Sequence, residues 1–93
     1  MNARERIEHS LAEALQPVQL EVIDESELHA GHSGAREGGE THFRVRVVSE
    51  GFVGKRSVQR HRMVYDALKT EIAGGVHALA LTTLTPEEAQ TRP

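Results

Sequence analysis

Two groups of side chains in this 93-residue chain have the chemistry to do work: six histidines and a tight knot of cations. Imidazole titrates near neutral pH and is a common metal ligand, so six in so short a chain is a functional signal. His29 and His32 share a glycine-rich stretch, where a solvated loop histidine is the plain reading and a His-x-x-His spacing alone is weak evidence for metal. His77 follows Gly74-Gly75 and, taken by residue type alone, reads as a strand histidine bonded to backbone. His42 alternates with Arg44 and Arg46 on one strand face. His61 falls on an apolar helical stripe and reads as a core histidine, and His9 lies on a polar helix face. The cations are Lys55, Arg56, Arg60 and Arg62, four of the eleven basic residues within eight positions. They surround a turn and a helix start, where phosphate is readily met. A solvated, charge-balanced face is the alternative.

Other chemistries are poorly supplied. With no Cys there is no disulfide, thiol nucleophile or thiolate metal site from this chain. No serine sits in a Gly-x-Ser-x-Gly elbow, and no phosphate-binding glycine loop occurs. The carboxylates are dispersed along helix faces. These features point away from an enzyme and towards a binding protein. The formal net charge of −3 argues against indiscriminate binding to nucleic acid, while leaving room for a local basic patch. No apolar run spans a bilayer, and the N-terminus lacks the apolar region of a signal peptide, so the cytoplasm is the expected location.

The elements that must position these groups follow from periodicity. Ile7, Leu11 and Ala14/Leu15 recur at helical spacing over 2–15, with Asn2 as N-cap, Glu5 three residues on and Pro17 as the stop. Val18, Leu20 and Val22 alternate as a half-buried strand. Residues 24–40 hold four of the eight glycines and read as a long mobile hairpin loop. A second strand carries Phe43, Val45 and Val47 on its apolar face. After a turn at 51–54, a helix runs to about Ala73 with His61, Val64, Tyr65, Leu68 and Ile72 as its apolar stripe. Residues 76–82 read as a third strand with little alternation, suited to a central or covered position. Thr85, Pro86 and Glu88 have the pattern of a capped helix start. The order α-β-β-α-β-α predicts an α/β (α+β) domain: a three-stranded mixed sheet, one hairpin and one right-handed crossover, with helices on one face. One domain over 1–90 with a frayed tail at 91–93 is expected.

Three motifs carry a family resemblance. They are Phe52-x-Gly54 followed by Arg60-His61-Arg62-x-Val64-Tyr65; Val76-His77-Ala78-Leu79-Ala80-Leu81; and the pair Val22-Ile23-Asp24-Glu25-Ser26 and Thr41-His42-Phe43-Arg44-Val45. Together they resemble BolA proteins over roughly residues 4–90, closer to the original bacterial type than to the shorter members. The resemblance implies a fold similar to class II KH domains. The Gly-x-x-Gly clamp of nucleic-acid-binding KH domains is not matched in place: Gly31-x-x-Gly34 lies in the hairpin loop, and Gly51-x-x-Gly54 is split by Phe52 and Val53.

The resemblance also implies a function. BolA-like proteins pair with a monothiol glutaredoxin and share a [2Fe-2S] cluster, acting in iron–sulfur homeostasis and stress response. The implied ligands here are His77 and, from the loop, His29, with His32 as the alternative; thiolates must come from the glutaredoxin and its glutathione. The free form is expected to be a monomer or weak homodimer without a tightly bound cofactor. BolA-type proteins are also described as transcriptional regulators of stress, cell-morphology and biofilm genes, which implies a second role for Lys55, Arg56, Arg60 and Arg62 on double-stranded DNA.

Overall fold

The structure, a computed structural model, describes residues 2–25, 42–76 and 78–91. Helix α1 spans Ala3–Leu15 and begins on a reciprocal cap: the Glu5 N–H donates to Asn2 Oδ1 (2.9 Å), and the Asn2 N–H donates to Glu5 Oε1 (3.2 Å). It ends with Gln16 in the left-handed region (φ 45°), whose N–H still reaches Ala12 O. A residue before proline is disfavoured in the helical region, which is why the turn falls there. Ala3, Ile7, Leu11 and Leu15 are buried on one stripe.

Three strands follow: β1 (Gln19–Asp24), β2 (His42–Val48) and β3 (Ala78–Leu84). They form one sheet in the order β1-β2-β3, with β1 antiparallel and β3 parallel to the central β2. Phe43, Val45 and Val47 are at most 1% exposed and join Ile7, Leu11, Phe52, Val64 and Leu68 in the core. Successive strand side chains alternate faces, so Arg44 and Arg46 point the other way. Arg44 Nε meets Glu25 Oε2 and Arg46 Nη1 donates to Gln19 Oε1, both at 2.9 Å, lacing that face to the β1 side.

The predicted long helix is two: α2 (Ser57–Ala67) and α3 (Lys69–Ala73). The break is one residue, Leu68, whose φ of −102° and ψ of 15° leave the helical range. The path continues, because Leu68 N still bonds Val64 O and Ile72 N bonds Leu68 O. Val64 and Leu68 are the fully buried part of the expected stripe; Tyr65 is a correction, at 44% exposed.

The third strand is also corrected. Among the described residues it runs 78–84, reaching two residues beyond the expected end at 82 and leaving Val76 outside, and it lies at an edge of the sheet where a central or covered position is expected. Its alternation was hidden because the outward positions Ala78 and Ala80 are apolar by type yet exposed. Helix α4 (Pro86–Thr91) starts on the predicted box: Thr85 N–H donates to Glu88 Oε1 (2.8 Å) and Glu88 N–H to Thr85 Oγ1 (3.2 Å).

Candidate functional site

The basic segment is held by the turn beneath it. Ser49, 1% exposed, donates from Oγ to Leu15 O (2.7 Å) and accepts from the Gly51 N–H (3.0 Å). One hydroxyl thus ties the end of α1 to a short 3₁₀ turn, Glu50–Phe52. Phe52 is buried beneath it, and Gly54 takes a φ of +78°, which a side chain would strain. Lys55 and Arg56 then lead into α2, both exposed. The Arg56 N–H is taken by Gln59 Oε1 (2.9 Å), but no side chain caps the helix from Arg56. The N–H groups of the first turn of α2 thus lie beside two exposed cations, Lys55 and Arg56.

The four expected cations divide. Lys55, Arg56 and Arg62 are exposed. At about 100° per residue, Arg62 lies roughly 160° around α2 from the buried Val64, so it faces away from the core. Arg60 is enclosed by its own fold, with its side chain 11% exposed. Its Nε donates to Lys55 O (2.8 Å), and Nη1 donates to Thr83 O (3.2 Å) and Glu88 Oε1 (2.6 Å). The guanidinium also sits 5.9 Å from the centroid of Phe52. Arg60 is therefore a strut joining the basic turn, β3 and the cap of α4. Sequence reasoning found Glu88 as a capping residue and missed it as an ion-pair partner; Ser49 was missed entirely, although a Ser-x-Gly after an apolar strand is a turn signal.

The histidines expected to bind the cluster, His29, His32 and His77, lie outside the described residues. The residues to which they are joined are well placed, however. The Glu25 N–H donates to His42 O (2.8 Å), so the segment carrying His29 and His32 leaves and re-enters at one end of the sheet. His42 is in register with Ala78, the residue after His77, at that same end. His42 itself is half-buried on β2, and His61 is half-buried on α2. His9 pairs with Glu13 across one exposed turn (3.1 Å).

Among the described residues no three His, Cys, Asp or Glu side chains gather where they could hold a metal. A four-ligand iron–sulfur cluster therefore needs donors from beyond these residues, and its thiolates, with no Cys in the chain, from another molecule. No helix among the described residues is long and apolar enough to cross a membrane.

Comparisons with known proteins agree with this frame. The family model described as BolA-like protein matches residues 11–88. The chain is 50% identical over 88 residues to the DNA-binding transcriptional regulator BolA of Escherichia coli (strain K12), covering 95% of this chain and 80% of that protein. It is 48% identical over 87 residues to SufE-like protein 1, chloroplastic/mitochondrial, of Arabidopsis thaliana, covering 89% of this chain. It spans only 24% of that relative's length, and 58% of chloroplastic BOLA1 from the same plant. The solved structure of BolA1 from Arabidopsis thaliana superposes with a TM-score of 0.84 at 43% identity, covering 95% of this chain and 96% of that one. A family model matching most of the chain and a shared fold at this identity lead to one conclusion: the chain belongs to the BolA family.

Proposed function

We propose that this protein is a non-catalytic adaptor that pairs with a monothiol glutaredoxin and shares a [2Fe-2S] cluster through His77 and a loop histidine, His29 or His32. The observation that carries this reading is the register at one sheet end. Ala78 stands opposite His42, and His42 is bonded to Glu25, so the chain segments bearing all three histidines are tethered to neighbouring rungs. When bound, the cluster supplies one-electron chemistry; the chain's own part is to offer imidazole in place of thiolate, which raises the potential.

The tethers differ, and so does the expected effect of losing each histidine. His77 lies between buried Val76 and the first residue of β3. His29 and His32 lie in a longer span between Glu25 and His42, and ordering such residues costs roughly 1–2 kcal/mol each. His77→Ala abolishes the mixed-ligand spectrum, His29→Ala is partly rescued by His32, and the double change behaves like His77→Ala. The measurement is anaerobic reconstitution with glutaredoxin, glutathione, iron and sulfide, read by visible circular dichroism. A native spectrum from His77→Ala sinks the assignment; one from the double variant redirects attention to His42 or water.

A second reading has its own support. The exposed Lys55 and Arg56 lead into the first turn of α2, the exposed Arg62 lies midway along that helix, and a relative named as a DNA-binding transcriptional regulator is half identical to this chain. In this reading the cations meet phosphates of duplex DNA. Changing Lys55 and Arg56 to Glu weakens binding on every sequence and lowers the slope of log affinity against log salt by about 2. An unchanged slope removes the patch from the account. The compartment in which either role is carried out is proposed to be the cytoplasm.

A further inference from the structure

The polarity of the strands places the two candidate regions at opposite ends of one sheet. β2 and β3 run parallel, in register from His42 with Ala78 to Val48 with Leu84. β1 runs the other way and sets Asp24 against Phe43, beside the first of those rungs. The chain therefore leaves β1, enters β2 and enters β3 at one end, which is the end the cluster reading uses. At the other end β2 passes into Ser49 and the 3₁₀ turn, and Leu84 O accepts from the Ser49 N–H (3.0 Å). Arg60 fixes the basic segment there. Its Nε donates to Lys55 O (2.8 Å) and its Nη1 to Thr83 O (3.2 Å), so one guanidinium holds the Lys55 backbone against the last residues of β3. The rungs of Ala78 and Leu84 are six residue steps apart. At ~3.3 Å per step that is about 20 Å. β3 is paired with β2 along its whole length, which keeps the separation fixed.

We infer that the chain is a bridge: it holds glutaredoxin at the Ala78 end and duplex DNA at the Lys55–Arg56 end at the same time, and neither partner changes the affinity of the other. The inference rests on the two readings proposed above and adds what neither contains, their simultaneity. Electrostatics keeps the ends independent. The screening length at physiological salt is about 8 Å, so charge brought by a cluster at one end lies more than two screening lengths from the cations at the other. There is also room for both partners. A standard interface covers about 800 Å² of each protein, so two such footprints take about a quarter of a surface of 6050 Å². The directions suit as well. The turn carrying Lys55 and Arg56 continues past the Leu84 end of the sheet, while the chain segments of the other region leave from the Ala78 end. A chain seated on DNA through its basic turn therefore presents its opposite end outward. It brings a cluster-bearing partner to DNA that the partner itself does not touch.

The test uses the native chain, a short fluorescent duplex of mixed sequence, and a monothiol glutaredoxin with glutathione, iron and sulfide under anaerobic conditions. Two binary titrations come first, chain with duplex and chain with glutaredoxin. Failure of either removes the reading it tests, and the bridge with it. With both established, saturating glutaredoxin should leave the dissociation constant of the duplex unchanged within about twofold, where coupled sites commonly shift each other by about 5- to 150-fold. Sedimentation should then show the duplex, the chain and the cluster absorbance moving together. Two variants separate the ends. Lys55→Glu with Arg56→Glu should lose the duplex and keep the mixed-ligand spectrum. His77→Ala should lose that spectrum and keep the duplex with its salt slope. Release of the duplex by glutaredoxin overturns the proposal while leaving both binary readings intact. So does glutaredoxin that carries the duplex without the chain, or a variant that loses both partners while keeping its native far-ultraviolet spectrum.

Discussion

Single side chains set the shape of the basic turn more than its composition does. Arg60 reads in sequence as one cation of four, and its occupation by Glu88, Thr83 and Phe52 separates it from the rest. Replacing it with Met should therefore lower stability without changing the salt slope of DNA binding, the reverse of the effect expected for Lys55 and Arg56. A double-mutant cycle of Arg60→Met with Glu88→Gln should return a coupling of about 1–2 kcal/mol by urea denaturation. Ser49→Ala removes the partner of both Leu15 O and the Gly51 N–H, and should cost about 1–3 kcal/mol, read as a lower denaturation midpoint at unchanged m-value. The local half of the Ser49 role, its bond from the Gly51 N–H, follows a Ser-x-Gly turn pattern, but its bond to Leu15 O and the Arg60–Glu88 pair join elements far apart in the chain, and a residue type alone does not say which long-range partner it will find.

At the scale of elements, local chemistry was a good guide wherever it was local. The Asn2–Glu5 and Thr85–Glu88 caps both form as their spacing suggests, since each needs only one turn of chain. Asn2→Ala should cost about 1 kcal/mol and fray the first turn of α1, visible as faster amide exchange there. The errors arose where burial decides. Tyr65 has the spacing of a core residue, yet the helix presents Val64 and Leu68 to the sheet and leaves Tyr65 half in solvent. β3 has the pattern of a central or covered strand because alanine does not reveal which way it faces. The apolar face of β2 was legible, because valine and phenylalanine alternate there with arginine.

At the scale of the whole molecule, the fold class, the mixed sheet and the element order could be read from the sequence, apart from the division of the long helix at Leu68. The convergence of the histidine-bearing segments could not, because it is a matter of register: His42 opposite Ala78 is a fact about two strands and not about either. That same ladder has a consequence in time. Its nearest rung in sequence, Asp24 with Phe43, already closes a long span, and every rung between β2 and β3 closes a longer one. Loop-closure entropy grows only as the logarithm of length, so the antiparallel pairing has an advantage of well under about 1 kcal/mol over the parallel one. The central strand thus has no neighbour close enough to zip against first. The helices can form in about a microsecond, but they must wait for a sheet whose every contact is distant. Stopped-flow refolding should accordingly show β2 and both its neighbours consolidating together, on a scale of about milliseconds or slower.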